Sequence, residues 1–168
     1  ETIGGIVINS RDITDRKAAE IELQRSERRL RALIENSSDH IVILEADGRI
    51  RYGSPSLLRE SGFEEVDLLG RYCAEFIHEE DRDRVVKTFK GAIDEKGALY
   101  SDEFRYRKSN GAWMTLEVVG KNALHDEAVK GVVLNLRDVT ERKKAEVELA
   151  QSEQRFRAFV QNSSDIIT

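Results

Sequence analysis

The chain repeats itself, and the repeat limits what it can fold into. Residues 5–41, GIVINSRDITDRKAAEIELQRSERRLRALIENSSDHI, align without a gap on residues 131–167, GVVLNLRDVTERKKAEVELAQSEQRFRAFVQNSSDII, with 22 of 37 positions identical and a constant offset of 126. Most differences exchange apolar for apolar or acid for acid, as in Ile13/Val139, Leu30/Phe156 and Asp15/Glu141. Self-similarity at a fixed spacing marks a unit copied in tandem. The chain therefore reads as a slice of a longer array. Residues 1–13 are the tail of a preceding unit, 14–36 a connector, 37–139 one whole unit, 140–162 a second connector and 163–168 the start of a following unit.

The connectors read as helices. Thr14 and Thr140 each follow a β-rich run and open a charged stretch without proline. Threonine is a good N-cap, and Asp15 or Glu141 at the next position complements the positive end of the helix dipole. Lys17 and Lys143 stand where the Glu of a capping box would be, so only half of that motif is present. Ala19, Leu23, Ser26, Leu30 and Leu33 recur at alternating steps of four and three, as do Ala145, Leu149, Ser152, Phe156 and Phe159. That is the a/d rhythm of a coiled coil, flanked by Arg, Glu and Lys. An amphipathic helix packed on its own domain is the other reading, but so narrow a seam suits a second helix better. The small Ala and Ser positions make it a weak zipper.

Composition excludes several classes. The net charge of −5 with mixed signs gives no basic field for nucleic acid or anionic lipid. No apolar run approaches the ~18 residues of a membrane span, so this segment makes no direct membrane contact, although a parent protein could be anchored elsewhere. The single cysteine, Cys73, rules out an internal disulfide and offers no CxxC spacing, which favours a cytoplasmic setting.

Between the connectors, strands are expected over 41–45 and 49–52, joined by the turn Ala46-Asp47-Gly48. Ser54 caps a helix with Pro55 at its first position. Short helical pieces follow around 64–69 and 73–77. A longer helix over 80–96 carries the stripe Val85, Val86, Phe89, Ala92 and Ile93. Strands over 99–107, 112–122 and 129–136 close the unit, with Asn110-Gly111 as a hairpin turn. This order predicts an α+β fold: a five-stranded antiparallel sheet with helices on one face, plus long helices at both ends.

At this point the motifs resemble those of a PAS domain. NSSD before the first strand, DGRIRY at the hairpin, SGFEEVDLLGR, FIHEEDRDRV, YRKSNGAWMTLEV and LRDVTERK carry the resemblance, over about residues 27–140. Ser54 departs from it, standing where the family often has Asn. The flanking repeats resemble the signalling helices that join tandem PAS domains in bacterial and archaeal sensor proteins. The resemblance implies the profilin-like PAS fold. It also makes Asp12 with Thr14, and Asp138 with Thr140, the joints between a last strand and its output helix.

Cofactor candidates are few. Gly70-Arg71-Tyr72-Cys73 resembles the flavin-adduct motif of photosensory members, but Tyr72 replaces its Asn and Ala74-Glu75 its following Arg-Phe. Flavin is disfavoured, and Cys73 reads as a small core hydrophobe. The long helix carries no His, which disfavours haem. His78 beside Glu79, Glu80 and Asp81 lacks a second His at ligand spacing and reads as a turn or cap, so no metal is expected.

An unidentified small organic ligand is left open. Its cavity candidates are Ile43, Leu58, Phe76, Phe89, Phe104, Arg105, Met114, Thr115 and Leu134, within a wider apolar set that includes Leu57, Val66, Leu69, Ile77, Val85 and Leu116. The convergent polar groups a pocket needs would come from Arg105, Tyr106, Thr115 and Ser56.

No nucleophile–base pair, phosphate loop or paired acids appear in a supporting context, so the segment itself is read as non-catalytic. The leading function is a sensory or relay module of a multidomain signalling protein, a histidine kinase or a cyclic-dinucleotide enzyme. It would pass conformational change through dimeric coiled-coil helices to an adjacent output domain. A ligand-free dimerisation or spacer unit is the alternative, and a catalytic domain of another type the third. The cut ends, residues 3–10 and 165–168, are read as apolar strands severed from their sheets, at least one of which should be ordered through another chain.

Overall fold

The computed structural model describes Gly4, residues 14–35, Ser37 and residues 39–164. Asp12, residues 3 and 5–10, and residues 165–168, expected as strands or a joint, lie outside the described residues. The chain divides into two compact units, Glu1–Asn36 and Ser37–Thr168, taken here one at a time.

The first unit holds helix α1, Thr14–Glu35. Its expected seam is solvent-facing: Leu23, Leu30 and Leu33 are 61%, 58% and 64% exposed, and Ala19 and Ser26 are exposed between them.

The second unit runs β1 (His40–Leu44), β2 (Ile50–Gly53), α2 (Pro55–Ser61), α3 (Glu65–Leu68), a 3-10 turn (Cys73–Phe76), α4 (Glu79–Asp94), β3 (Leu99–Arg107), β4 (Trp113–Ala123), β5 (Gly131–Asp138) and α5 (Thr140–Ser164). The strands form one antiparallel sheet in the order β2-β1-β5-β4-β3. The first strand therefore lies beside the last, with His40 opposite Leu136 and Leu44 opposite Val132. Helix α5 runs two residues past the expected boundary at 162, within the usual fraying of helix ends.

Strand alternation sorts the sheet into two faces. Val42 and Leu44, Phe104 and Tyr106, Met114, Leu116 and Val118, and Val132, Leu134 and Leu136 are buried on the helix side. Helix α4 lays Val85, Phe89 and Ile93, spaced by four, against this core. Its last carbonyls have no partners within the helix. Buried Asn122 on β4 supplies them, its amide Nδ2 donating to the carbonyls of Ala92, Ile93 and Glu95 at 3.0, 3.0 and 2.8 Å.

Of two expected caps, one differs in detail. Ser54 holds the N-cap position of α2 without a side-chain cap bond. Its hydroxyl instead accepts the Ile41 N–H at 3.0 Å and shares a hydrogen bond with Ser56 at 2.8 Å. His78 does cap α4, its Nδ1 accepting the Glu80 N–H at 3.3 Å. At the Asn110-Gly111 hairpin only Gly111 takes the left-handed conformation, at φ 83°. Asn110 contributes through its side chain, which accepts the Ala112 N–H.

Candidate functional site

Between the sheet and α4 lies a cavity of about 370 Å³. Phe104, Tyr100, Val118 and Leu134 form its floor, Val85, Val86, Phe89 and Ile93 one wall, and Cys73, Ala74 and Ile77 another. Leu44 and the turn Ala46-Asp47-Gly48 close one side, with Tyr72 and Lys90 completing the lining. Ligand pockets run from about 300 to 1,000 Å³, so this one sits at the small end.

Of the nine candidates read from the sequence, Phe89, Phe104 and Leu134 line this space. Phe76 and Met114 are each 1% exposed within the solid core, and Leu58 packs against it. Ile43 alternates with the inward-facing Val42 and Leu44, so it lies on the other face of the sheet. The same parity turns Arg105 and Thr115 outward. Arg105 binds Asp81 and Glu80, with Nε donating to Asp81 Oδ2 at 2.8 Å and Nη2 to Glu80 Oε2 at 2.7 Å, and this guanidinium holds the Asp81 carboxyl down at about 2. Val66 and Leu69, from the wider apolar set, are exposed. Ser56 is spent on Ser54.

Tyr106 does face inward. It stacks on Phe76 with ring centroids 5.7 Å apart, and its buried hydroxyl has no hydrogen-bond partner among the described residues. Burial pushes the Cys73 thiol up to about 12, so it is held neutral at the cavity wall.

The sequence reading missed Tyr100 and the room made for it. Tyr100 stands opposite Gly120 across the β3–β4 pair, and a Cβ on Gly120 would come within 2.1 Å of the Tyr100 ring. A lone glycine directly after the apolar pair Val118-Val119 in a long strand was the available signal, since strand glycines often mark such an approach.

The joint with the exit helix is built from both faces of the chain turn. Asp138 Oδ1 accepts the Thr140 N–H at 2.7 Å and caps α5. The Thr140 hydroxyl reaches across the sheet instead, accepting the Thr115 N–H at 2.8 Å, while the Thr115 carbonyl accepts the Val139 N–H at 2.9 Å. Lys143, the residue where a capping-box acid was absent, pairs with Glu103 of β3 at 2.9 Å. Along α5, Leu149, Phe156 and Phe159 are 62%, 68% and 70% exposed, with Ala145 and Ser152 exposed between them. Thr14 opens α1.

The buried His40 sits where β1 begins, near this joint. It is 5% exposed, and neither ring nitrogen has a hydrogen-bond partner among the described residues. Desolvation lowers its pKa against the opposing pull of Glu60, Asp138 and Asp39, with Lys108 acting in the same sense as burial. The folded domain thus holds His40 neutral, while the unfolded chain protonates it near the ordinary value of 6.5. The stabilisation is complete above that value and is lost as pH falls toward the lower folded value. Urea midpoints at pH 7.5 and 5.5 should therefore differ more in the wild type than in His40→Phe. Equal differences would show that other groups carry the acid sensitivity.

Among the described residues, no group of three or more His, Cys, Asp or Glu side chains could hold a metal ion. No helix among them is long and apolar enough to cross a membrane.

The family model described as PAS fold matches residues 50–133, the span from β2 into β5. The chain belongs to the PAS family. Among curated proteins, it is 30% identical over 155 residues to Sporulation kinase E of Bacillus subtilis, covering 92% of this chain and 20% of that protein. It is 29% identical over 136 residues to Sensor histidine kinase TmoS of Ectopseudomonas mendocina, covering 80% of this chain and 14% of that one. The chain thus spans a fifth or less of the length of these relatives. Among solved structures, the PAS domain of an HTR-like protein from Haloarcula marismortui matches with a TM-score of 0.63 and 31% identity, over 73% of this chain and 98% of that one. A sensory box histidine kinase/response regulator from Burkholderia thailandensis matches at 0.59 and 27%, over 77% and 98%.

Proposed function

We propose that this PAS domain is a sensory and signal-relay module of a multidomain signal-transduction protein. It passes a conformational change through α5 to an output domain, a histidine kinase or a cyclic-dinucleotide enzyme. The observation that carries this reading is the joint: the first residue of α5 is bonded to Asp138 of β5 and to Thr115 of β4. A change in sheet geometry is thereby imposed on the exit direction of the helix. The kinase relatives, of which the chain covers only a part, support the same reading.

In this reading the parent works as a homodimer, with the exposed seams of α1 and α5 each paired to their counterparts in a second copy. Pairing would cover leucines and phenylalanines that a lone helix leaves in water. In this reading the module works in the cytoplasm, a setting in which a lone cysteine without a disulfide is ordinary. The cavity between sheet and α4 is its candidate ligand site. Flavin-adduct chemistry is disfavoured there, because Tyr72 replaces the Asn of the adduct motif and Ala74-Glu75 its following Arg-Phe.

Asp138→Ala tests the joint. Losing a cap costs about 1 kcal/mol, so the melting temperature of the domain should fall by only a few degrees. Output activity of the full-length parent, assayed as autophosphorylation or cyclic-dinucleotide synthesis, should change several-fold. Unchanged output would remove the joint from the mechanism and leave a spacer.

A further inference from the structure

The cavity has an apolar interior and a charged lip. Its depth is walled by Phe104, Val118, Leu134, Ile77 and Val85, with no charged side chain among them. Two charged residues line the rim, Asp47 and Lys90. Asp47 is already committed: Oδ1 accepts the Arg49 N–H at 3.0 Å and Oδ2 meets Arg49 Nε at 3.3 Å. Arg49 is held in turn by the Gly70 carbonyl at 2.6 Å and lies 4.0 Å over the Tyr72 ring. These two charges neutralise each other on one lip. Lys90, exposed on α4 opposite, has no ion-pair partner among the described residues. A lysine in that position runs its methylene stem along the apolar wall and keeps its ammonium in water at the opening.

From this asymmetry we infer that the cavity takes a small amphiphilic carboxylate, its apolar tail inside and its anionic head at the mouth beside Lys90. The inference rests on the cavity being a ligand site, as proposed above. An anion carried fully inside would meet no cationic side chain, and burying an unpaired charge is costly. A head left at the rim keeps its hydration and gains the attraction of one unpaired cation. A cationic head with the same tail loses by the same interaction. The modest volume limits the tail to a short chain or a single ring system.

The probes are decanoate and decyltrimethylammonium, which share a ten-carbon tail, each titrated below its micelle-forming concentration. The full chain would carry labelled Ile, Leu and Val methyls. Decanoate should shift the Val118 and Leu134 methyls and bind about three- to fivefold tighter than the cation, the range of an exposed ion pair. Lys90→Met should make the two equal, and Lys90→Glu should invert the order. Lys90 lies at the surface, so both variants should melt with the wild type. Equal wild-type affinities with the same methyls shifted would overturn the headgroup assignment and leave the ligand site standing. Shifts confined to the α1 and α5 seams, or none at Val118 and Leu134, would overturn the ligand site as well.

Discussion

Leu23→Asp combined with Leu149→Asp should convert the protein from dimer to monomer, halving the mass seen by light scattering. Both leucines are more than half exposed in the single chain and fall on the a/d rhythm of their helices. In a paired seam each would sit in a hole made by the facing helix, and two carboxylates would then be buried against each other without counter-charges. Desolvation and like-charge repulsion act together there, and breaking so weak a zipper needs only a few kcal/mol. Because the substitutions lie on the connectors, the melting of the domain itself should hardly move. The same mass for both proteins would show that the seams are solvated faces of isolated helices.

Gly120→Val should destabilise the domain by about 1–3 kcal/mol, the usual cost of overpacking a core, and should also close the cavity. The side chain would enter space held by the Tyr100 ring, where even a Cβ comes within 2.1 Å. The least obstructed way out for that ring is the cavity it already lines. A Tyr100→Ala, Gly120→Val double variant should recover much of the loss, because the two side chains compete for one place. Urea midpoints give the stability. Fluorescence of a neutral naphthylamine dye gives cavity access, which the single variant should lose and the double variant regain. Undiminished dye binding by Gly120→Val would mean that the ring escapes outward and that Tyr100 does not govern the cavity.

Much of this architecture was legible along the chain. Asp47-Gly48 and Asn110-Gly111 punctuated the hairpins, Pro55 marked a helix start, and Val85, Phe89 and Ile93 announced the buried stripe of α4. These features act within a few residues, through backbone conformation and side-chain periodicity, so they can be read without knowing the fold. The candidate site was less legible. Ile43, Arg105 and Thr115 were placed at the cavity by residue type. Counting parity from Phe104 would have turned Arg105 outward, but parity gains meaning only when one face of the strand is known to be buried.

What the sequence by itself determined is the set of elements and the local cap of α5 by Asp138, because each depends on neighbours in the chain. What only the tertiary structure decided is who meets across it. Asn122 ends α4 from a strand 27 residues and more away. Lys143 pairs with Glu103 and not with its own helix start. Tyr100 lies in the space that Gly120 leaves open. Each of these contacts is set by sheet register and by the seating of a helix on the sheet, quantities fixed by packing of the whole core and written at no single position.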